Sequence, residues 1–165
     1  MLRFLIIAIP SFLVGCVFGA AGWYLASPLF IDRVVSEELA SGNNVEALYA
    51  GEFRGADSAH QAGGTALVVK RADGRAELQL KDFRVTNGPD LVIYLSKNSD
   101  PMNARDITES EFVNLGALRG NVGDQSYTLP SDLDLATYKS AVIWCEQFSV
   151  LFAAARLGVQ GNAAN

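Results

Sequence analysis

Residues 65–83 have the sequence TALVVKRADGRAELQLKDF, and this stretch decides the class of fold. In the candidate strand Arg75–Phe83, apolar and polar residues alternate from Arg75 to Lys81, which is the period of a β-strand with one buried face. A shorter apolar run, Thr65–Lys70, precedes it, and Ala72-Asp73-Gly74 lies between the two. Asp-Gly at such a place is a strong hairpin signal, because both residues tolerate a positive φ. The stretch predicts two antiparallel strands, the second with a buried face of Ala76, Leu78 and Leu80 and a solvent face of Glu77, Gln79 and Lys81.

Three further apolar runs predict strands at Leu91–Leu95, Ala141–Cys145 and Phe148–Ala155. The first is apolar on both faces, which indicates a central strand, and Asn87-Gly88-Pro89 is the turn before it. Between these runs, Lys97–Asn114 is a long polar connection with a short helix expected near Asp106. Strands joined by Gly-rich turns, with no alternation of strand and helix, favour a sandwich or a barrel. We therefore predict a mostly β, β-sandwich-like soluble domain over residues 49–157, followed by a disordered tail over 158–165.

The N-terminal segment is apolar, and no charged residue occurs from Phe4 to Ile31. A helix of this length can cross the hydrocarbon core of a bilayer. Pro28 favours an end to the helix near Ala26 or Ser27, because the residue before proline avoids the α region. We predict one N-terminal transmembrane helix, with residues 1–31 as the membrane anchor and lipid contact through residues 4–27.

Two other interpretations of the N-terminal segment remain open. A signal peptidase would accept Ala20 or Ala21, and Leu13-Val14-Gly15-Cys16 looks like a lipoprotein signal with Cys16 as the lipidated residue. The apolar region is longer than the roughly 7–15 residues of a signal peptide, and it continues beyond either cut. The length therefore favours an uncleaved anchor. Arg3 lies before the helix, and the slight bias of basic charge predicts a cytoplasmic N-terminus and a domain outside the cytoplasm.

The anchor contains a candidate dimer contact and is followed by a spacer. Gly15 and Gly19 form a GxxxG pair that would let two helices pack closely, which predicts a homodimer through the anchor. The alternative is that glycine is simply common in membrane helices. Residues 32–48 are interpreted as a spacer, with a short helix over Arg33–Leu39 that Ser41-Gly42-Asn43-Asn44 would end.

Composition and motifs exclude several functions. The net charge is −5 with a sequence pI of about 4.8, and Lys and Arg are scattered. A nucleic-acid binder would carry a clustered basic face, so we expect no nucleic-acid partner. The sequence has no Gly-rich phosphate loop, no Gly-x-Ser-x-Gly, no HExxH and no Cys-x-x-Cys. Nothing places a nucleophile beside a base, and we do not expect a conventional enzyme.

Cys145 and His60 are the candidate site residues. Cys145 is the one cysteine after the membrane segment, and it ends an apolar strand beside Trp144 and Glu146. A redox or metal-binding role requires a thiolate, whereas a buried Cys behaves as a small hydrophobe, and alternation with Ala141 and Ile143 suits a core position. His60 lies in a polar loop, as a ligand or as an exposed, turn-capping residue. The two could share a metal with an acidic third ligand, although no ligand spacing supports it. The cofactor is therefore unknown, either a metal or none.

Several short segments in order carry a family resemblance. They include Gly51-x-Phe53, Leu80-x-Asp82-Phe83, Asn87-Gly88-Pro89-Asp90-Leu91, Tyr94-Leu95-Ser96, Leu115-Gly116-x-Leu118-x-Gly120, Gly123-x-Gln125-x-Tyr127, Val142-Ile143-Trp144-Cys145 and Phe148-x-Val150-x-Phe152. Together they resemble the DM-thirteen domain family, also called the electron-transfer DM domain, over residues 49–157. The membrane segment is similar to that of bacterial members with a single anchor.

The resemblance implies an extracytoplasmic, β-sandwich-like domain with a redox role centred on the cysteine that is here Cys145. It implies no set of metal ligands. Because the chain has one membrane segment and no cytochrome-like domain, an electron partner must come from another chain. The sequence thus leaves two hypotheses: an anchored electron-transfer or redox module that uses Cys145, and a non-enzymatic binding or scaffold module at the cell surface.

Overall fold

The computed structural model describes residues 2–27, 31–42 and 45–160, which fall into one compact unit up to Ile31 and another from Asp32 onward. The first unit is helix α1, Leu2–Ala26. Its 25 residues are about 37 Å long at 1.5 Å per residue. The window Ile7–Tyr24 has a mean hydropathy of 1.6. This helix is long and apolar enough to cross a membrane, a property it shares with signal sequences. Pro28, expected to follow the helix, lies outside the described residues.

The second unit is mostly β, as predicted, and strands make up 46% of the protein. Its described residues form ten strands, a short helix α2 and one 3-10 turn at Leu135–Thr137. Their bounds are β1 (Val34–Ser36), β2 (Val45–Gly55), β3 (Ala62–Arg71), β4 (Ala76–Val85), β5 (Leu91–Ser96), α2 (Ala104–Thr108), β6 (Phe112–Ala117), β7 (Val122–Thr128), β8 (Ser140–Cys145), β9 (Val150–Arg156) and β10 (Gly158–Val159).

A single curled sheet holds these strands, in the order β1-β7-β4-β3-β2-β9-β8-β5-β6, with β10 beside β2. Strand β2 turns the sheet over: residues 45–52 pair with β3, and Phe53–Gly55 pair with β9. The two halves therefore enclose one core. Leu78 and Leu80 of β4 pack in it together with Ile143 and Cys145 of β8. This arrangement confirms the sandwich-like prediction.

The predicted hairpin is β3 and β4, paired antiparallel. Gly74 has φ +85 in the turn, and the backbone N–H of Arg71 donates to the carbonyl of Arg75 at 2.8 Å. The strands predicted at Leu91, Ala141 and Phe148 are β5, β8 and β9, within two residues at each end. Helix α2 lies where the sequence indicates it. There Asn103 and Asp106 form a capping box, which satisfies the first free N–H groups of the helix.

The predicted solvent face of β4 is wrong at two of its three residues. Lys81 is exposed, but Glu77 and Gln79 are buried. Arg71 donates two hydrogen bonds to the Glu77 carboxylate, at 2.6 and 2.9 Å, and Gln79 donates to the carbonyl of Ala40 at 3.2 Å. Residues earlier in the chain thus cover this face, and partners at a distance in sequence satisfy its polar groups.

The segment interpreted as a spacer packs against the domain, and we call its residues 32–40 the strap. No helix forms over Arg33–Leu39; strand β1 pairs there in parallel with β7 instead. Glu37 donates its backbone N–H to Asp124 at 2.9 Å, and its carboxylate accepts from Arg119 and Ser126. The free edge of β7 and Arg119 in the turn before it supply these partners, which outweigh the local helix preference.

The C-terminal prediction also differs in part. Gly158 and Val159 were placed in the disordered tail, yet they pair with Ala50 and Tyr49 of β2. The backbone of β2 offers unpaired hydrogen-bonding groups at this place, so two residues suffice for the pairing. Residues 161–165 and the Asn43-Asn44 pair lie outside the described residues.

A second, smaller cluster of apolar side chains lies on the outer face of β5, β8 and β9. It consists of Val92, Tyr94, Ile107, Val142, Trp144, Leu151 and Ala154. Ile107 comes from α2, so the connection between β5 and β6 covers this face. Strand β8 therefore contributes to two cores, because successive side chains point to opposite faces. Cys145 packs in the main core and Trp144 in the small one.

Candidate functional site

Cys145 is the last residue of β8 and has 0% of its surface exposed. It pairs with Leu91 on one side and Val150 on the other, inside the sheet. Its Sγ donates a hydrogen bond to the carbonyl oxygen of Pro89 at 3.0 Å. The sulfur is therefore enclosed by protein and kept from water. The core position expected from alternation with Ala141 and Ile143 is observed.

Two tight turns close over Cys145. The turn after β8 runs from Glu146 to Ser149, and the loop before β5 ends at Asp90. The N–H of Glu146 donates to the carbonyl of Asp90 at 3.1 Å, which joins the two. Asp90 and Ser149 have φ near +51 and +53, a region where side chains other than Gly are uncommon. Both turns would have to open before a reagent could touch the sulfur.

Three aromatic rings from neighbouring strands lie one after the other: Trp144 of β8, Tyr94 of β5 and Phe112 of β6. We call them the aromatic stack. The Tyr94 and Phe112 rings are 4.4 Å apart with an angle of 12° between their planes. The Tyr94 and Trp144 rings are 6.4 Å apart at 27°. Both separations lie within the range of interacting aromatic pairs. Trp144 and Tyr94 are buried, whereas Phe112 is 42% exposed, so the stack leads from beside Cys145 to the surface.

The hydroxyl of Tyr94 has an anionic partner. Its O–H donates to Oε1 of Glu146 at 2.8 Å, and Asn114 donates to the same oxygen at 3.0 Å. Burial raises the pKa of Tyr94 well above its ordinary value, and the hydrogen bond to Glu146 and the nearby charges of Glu146 and Asp90 raise it further. The phenol thus keeps its proton but points it at a carboxylate on the surface.

His60 lies at the start of the hairpin and finds its own partners. Its Nδ1 is 2.9 Å from both carboxylate oxygens of Asp57, and the ring packs on Phe152 with centroids 4.2 Å apart. The hydrogen bond with His60 lowers the pKa of Asp57, as do the backbone N–H groups that this carboxylate accepts. Phe152 in turn lies against Gly88, next to the Pro89 carbonyl that holds Cys145.

Phe152 and the Gly88-Pro89 turn thus lie between His60 and Cys145, and no hydrogen bond joins the two. Within residues 2–27, 31–42 and 45–160 there is no group of three His, Cys, Asp or Glu side chains that could hold a metal ion. A metal shared by His60 and Cys145 would need further ligands, and it stays a prediction.

The aromatic stack and the Tyr94–Glu146 pair were not found by sequence reasoning. In the sequence Tyr94 stands out only as part of the segment Tyr94-Leu95-Ser96, without a partner. Phe112 lies in the connection that reads as polar, and Glu146 follows it by 34 positions in the sequence. The pairing of β5 with both β6 and β8 brings them together, and no local pattern signals that pairing.

Fold and site together define a class of protein: a curled β domain that encloses a single thiol and stacks aromatic rings beside it. The family model described as Electron transfer DM13 matches residues 52–157, well over half of the chain. The chain therefore belongs to the Electron transfer DM13 family, which confirms the resemblance inferred from the sequence. No curated protein and no solved structure matches the chain. The family indicates a redox-related role.

Proposed function

We propose that the protein is a membrane-anchored electron-transfer domain whose redox centre is Cys145. The observation that carries the proposal is the position of this residue: a fully buried thiol, one peptide bond from Trp144, whose ring is the inner member of the aromatic stack on the opposite face of the sheet. Membership of an electron-transfer family supports it. The cofactor remains unassigned, either a metal or none.

Burial of Cys145 favours electron transfer over thiol–disulfide exchange. A disulfide partner must bring its own sulfur against Sγ, and thiol–disulfide reactions depend on access and on the thiolate form. Here the turn over Glu146–Ser149 closes the approach, and the thiol donates a hydrogen bond to the carbonyl oxygen of Pro89. An electron needs only a short separation between donor and acceptor. We infer that a partner protein exchanges electrons with this domain without direct contact with the sulfur.

Helix α1 supports the placement of this domain at a membrane. We propose that α1 stays in the bilayer as an uncleaved anchor, with its N-terminus in the cytoplasm and the β domain in the periplasm or outside the cell. Gly15 and Gly19 lie on its surface, where a Cβ would meet nothing within 4 Å. An open pair of this kind supports close approach of a second copy, and we propose a homodimer through it.

Potentiometry of the full-length protein in detergent tests the redox role. In a Cys16→Ser background the domain thiol is the one remaining thiol. We expect one redox transition there, which is lost in Cys145→Ala and also in Cys145→Ser. The Ser variant is the matched control for folding, because its hydroxyl can still donate to the Pro89 carbonyl. An absorption spectrum and elemental analysis of the same samples report a metal or haem. Identical redox behaviour in all three proteins would contradict the proposal.

The complete burial of Cys145 also favours a second candidate, a non-enzymatic binding or scaffold module at the cell surface. In that function the thiol is a small core side chain. The exposed aromatic residues of the domain, Phe112 and Phe148, would then contact the binding partner. A specific partner captured equally well by the parent protein and by Cys145→Ala, without any redox transition, would favour this function.

A further inference from the structure

We propose that Tyr94 is a redox-active residue whose oxidation is coupled to proton transfer to Glu146. The expected reactant is a strong one-electron oxidant, such as a high-valent metal centre of a partner protein. Two observations carry the inference together. The phenol O–H points at a carboxylate oxygen 2.8 Å away, and its ring lies between two other aromatic rings, one of them partly exposed.

The step balances in electrons and in protons. Tyr94 gives one electron to the oxidant, its O–H bond breaks, and the proton forms a new O–H bond at Oε1 of Glu146. The products are a neutral tyrosyl radical, a protonated Glu146 and the oxidant reduced by one electron. When a one-electron donor returns the electron, Glu146 returns the proton. A general base must lie within hydrogen-bond distance of the group whose proton it takes, and Glu146 meets this condition for Tyr94.

Glu146 is suited to this role by its surroundings. A phenol whose electron is removed must lose its proton, and a carboxylate can take it, whereas an amide or a carbonyl oxygen is far less basic. Asn114 donates to the same oxygen and fixes its direction. Glu146 is exposed, so it can pass the proton on to water.

Tyr127 shows what a structural tyrosine looks like in the same domain. It is also buried, and its hydroxyl donates to Oε1 of Gln125 at 2.8 Å, an amide oxygen. The guanidinium of Arg119 lies 4.9 Å from its ring centroid. A cation beside the ring opposes removal of an electron from it, and Gln125 cannot take the proton. Tyr127 is therefore a matched internal control.

The route for the electron is the face of Phe112. This ring is parallel to that of Tyr94 within 12°, and it is 42% exposed on an edge strand. A partner that docks there approaches Tyr94 through one ring. On the inner side, Trp144 connects Tyr94 to the strand end that carries Cys145. The inference rests on the proposed electron-transfer role, but the chemistry of Tyr94 does not need the thiol.

Photochemical oxidation of the full-length protein in detergent tests the inference. The oxidant is a photogenerated ruthenium(III) tris-bipyridine complex, and transient absorption and electron paramagnetic resonance detect the tyrosyl radical. Tyr24, which is 79% exposed, is replaced by Phe in all samples. Exposed tyrosines give their proton to the buffer, so their oxidation rate rises with buffer concentration. We expect a separate fast phase that does not depend on the buffer, because the acceptor is built in.

This fast phase should vanish in Tyr94→Phe and persist in Tyr127→Phe. Tyr94→Phe retains both ring contacts, so it is expected to fold. Glu146→Gln retains an oxygen acceptor for the phenol but not its basicity, and should slow the phase about a hundredfold, the lower range for a positioned base. A fast phase that survives Tyr94→Phe, or that Glu146→Gln leaves unchanged, would overturn the inference. Cys145→Ala should keep it. A missing thiol transition with a fast phase present would contradict the Cys145 proposal alone. A thiol transition without a fast phase would contradict the Tyr94 proposal alone.

Discussion

Two glycines with nearly the same φ angle allow a measurement of how much the strap contributes to the stability of the β domain. Gly123 of β7 has φ +103, and Gly116 of β6 has φ +106. A Cβ on Gly116 would meet nothing within 4 Å, whereas a Cβ on Gly123 would overlap the carbonyl oxygen of Val35 in β1. Replacement of each by Ala therefore imposes the same kind of backbone strain, and only one replacement displaces the strap.

The magnitudes follow from these contacts. An L-residue at positive φ costs about 1–2 kcal/mol, which is the whole expected effect of Gly116→Ala. Gly123→Ala must also push β1 away. It then loses the bond from Glu37 N–H to Asp124 and its neighbours in the ladder, each about 0.5–1.5 kcal/mol. The half-exposed Glu37–Arg119 pair adds less than about 1 kcal/mol. We expect a total near 3–4 kcal/mol for Gly123→Ala.

Urea unfolding of the full-length protein in detergent at pH 7 gives both values. In a Trp23→Phe background, the fluorescence of the buried Trp144 reports on the β domain alone. Hydrogen exchange of residues 34–37 should accelerate in Gly123→Ala and stay unchanged in Gly116→Ala. Equal destabilisation by the two replacements would refute the argument, because it would mean that the strap contributes nothing to stability. Unchanged exchange in the strap of Gly123→Ala would refute it as well.

Further expectations concern pH, packing and association. Burial tends to raise the pKa of Glu37, but hydrogen bonds, led by those from Arg119, outweigh it and hold the pKa below its ordinary value. This stabilisation is present above the unfolded-state pKa of about 4.3 and is lost as the pH falls through the lower folded pKa. Glu37→Gln should thus be about 1 kcal/mol less stable than the parent in urea at pH 7 and no less stable at strongly acid pH; a gap that persists in acid would count against this. In Gly88→Ala the new Cβ would lie 2.6 Å from two ring carbons of Phe152, so overpacking should lower the free energy of unfolding in urea by about 1–3 kcal/mol, and an unchanged free energy would contradict the contact. Gly19→Ile should weaken self-association in detergent, measured by analytical ultracentrifugation, and a monomeric parent would rule out the helix pair.

Local patterns were sufficient for strands whose burial follows from their own residues. Thr65–Phe83 contains an apolar run, an Asp-Gly turn and an alternating run, so its hairpin can be predicted without a partner. The run ending at Cys145 is apolar at each position, and the alternation of its faces places the sulfur in the main core. The short helix expected near Asp106 is α2, and its capping box lies within the same few residues.

Strands that depend on their neighbours could not be predicted. Val122–Thr128 is rich in polar residues, and Gln125 is nevertheless fully buried because it bonds to Gly120 and Tyr127. Strand β1 is three residues long and exists only because β7 offers an edge. The same limit applied to the site. Tyr94, Phe112 and Glu146 meet through strand order, which a single sequence does not display.

The two edge strands of the sheet determine how readily copies of the domain can aggregate through their backbones. The two outermost strands are β1, with three residues, and β6, whose pairing is interrupted by a bulge opposite Ile93 and Tyr94. Short or kinked borders are poor templates for another chain's backbone, which is how natural β proteins resist fibre-like stacking. Copies at high concentration would otherwise pair through the backbones of their edge strands. We therefore expect this domain to resist aggregation through its sheet edges.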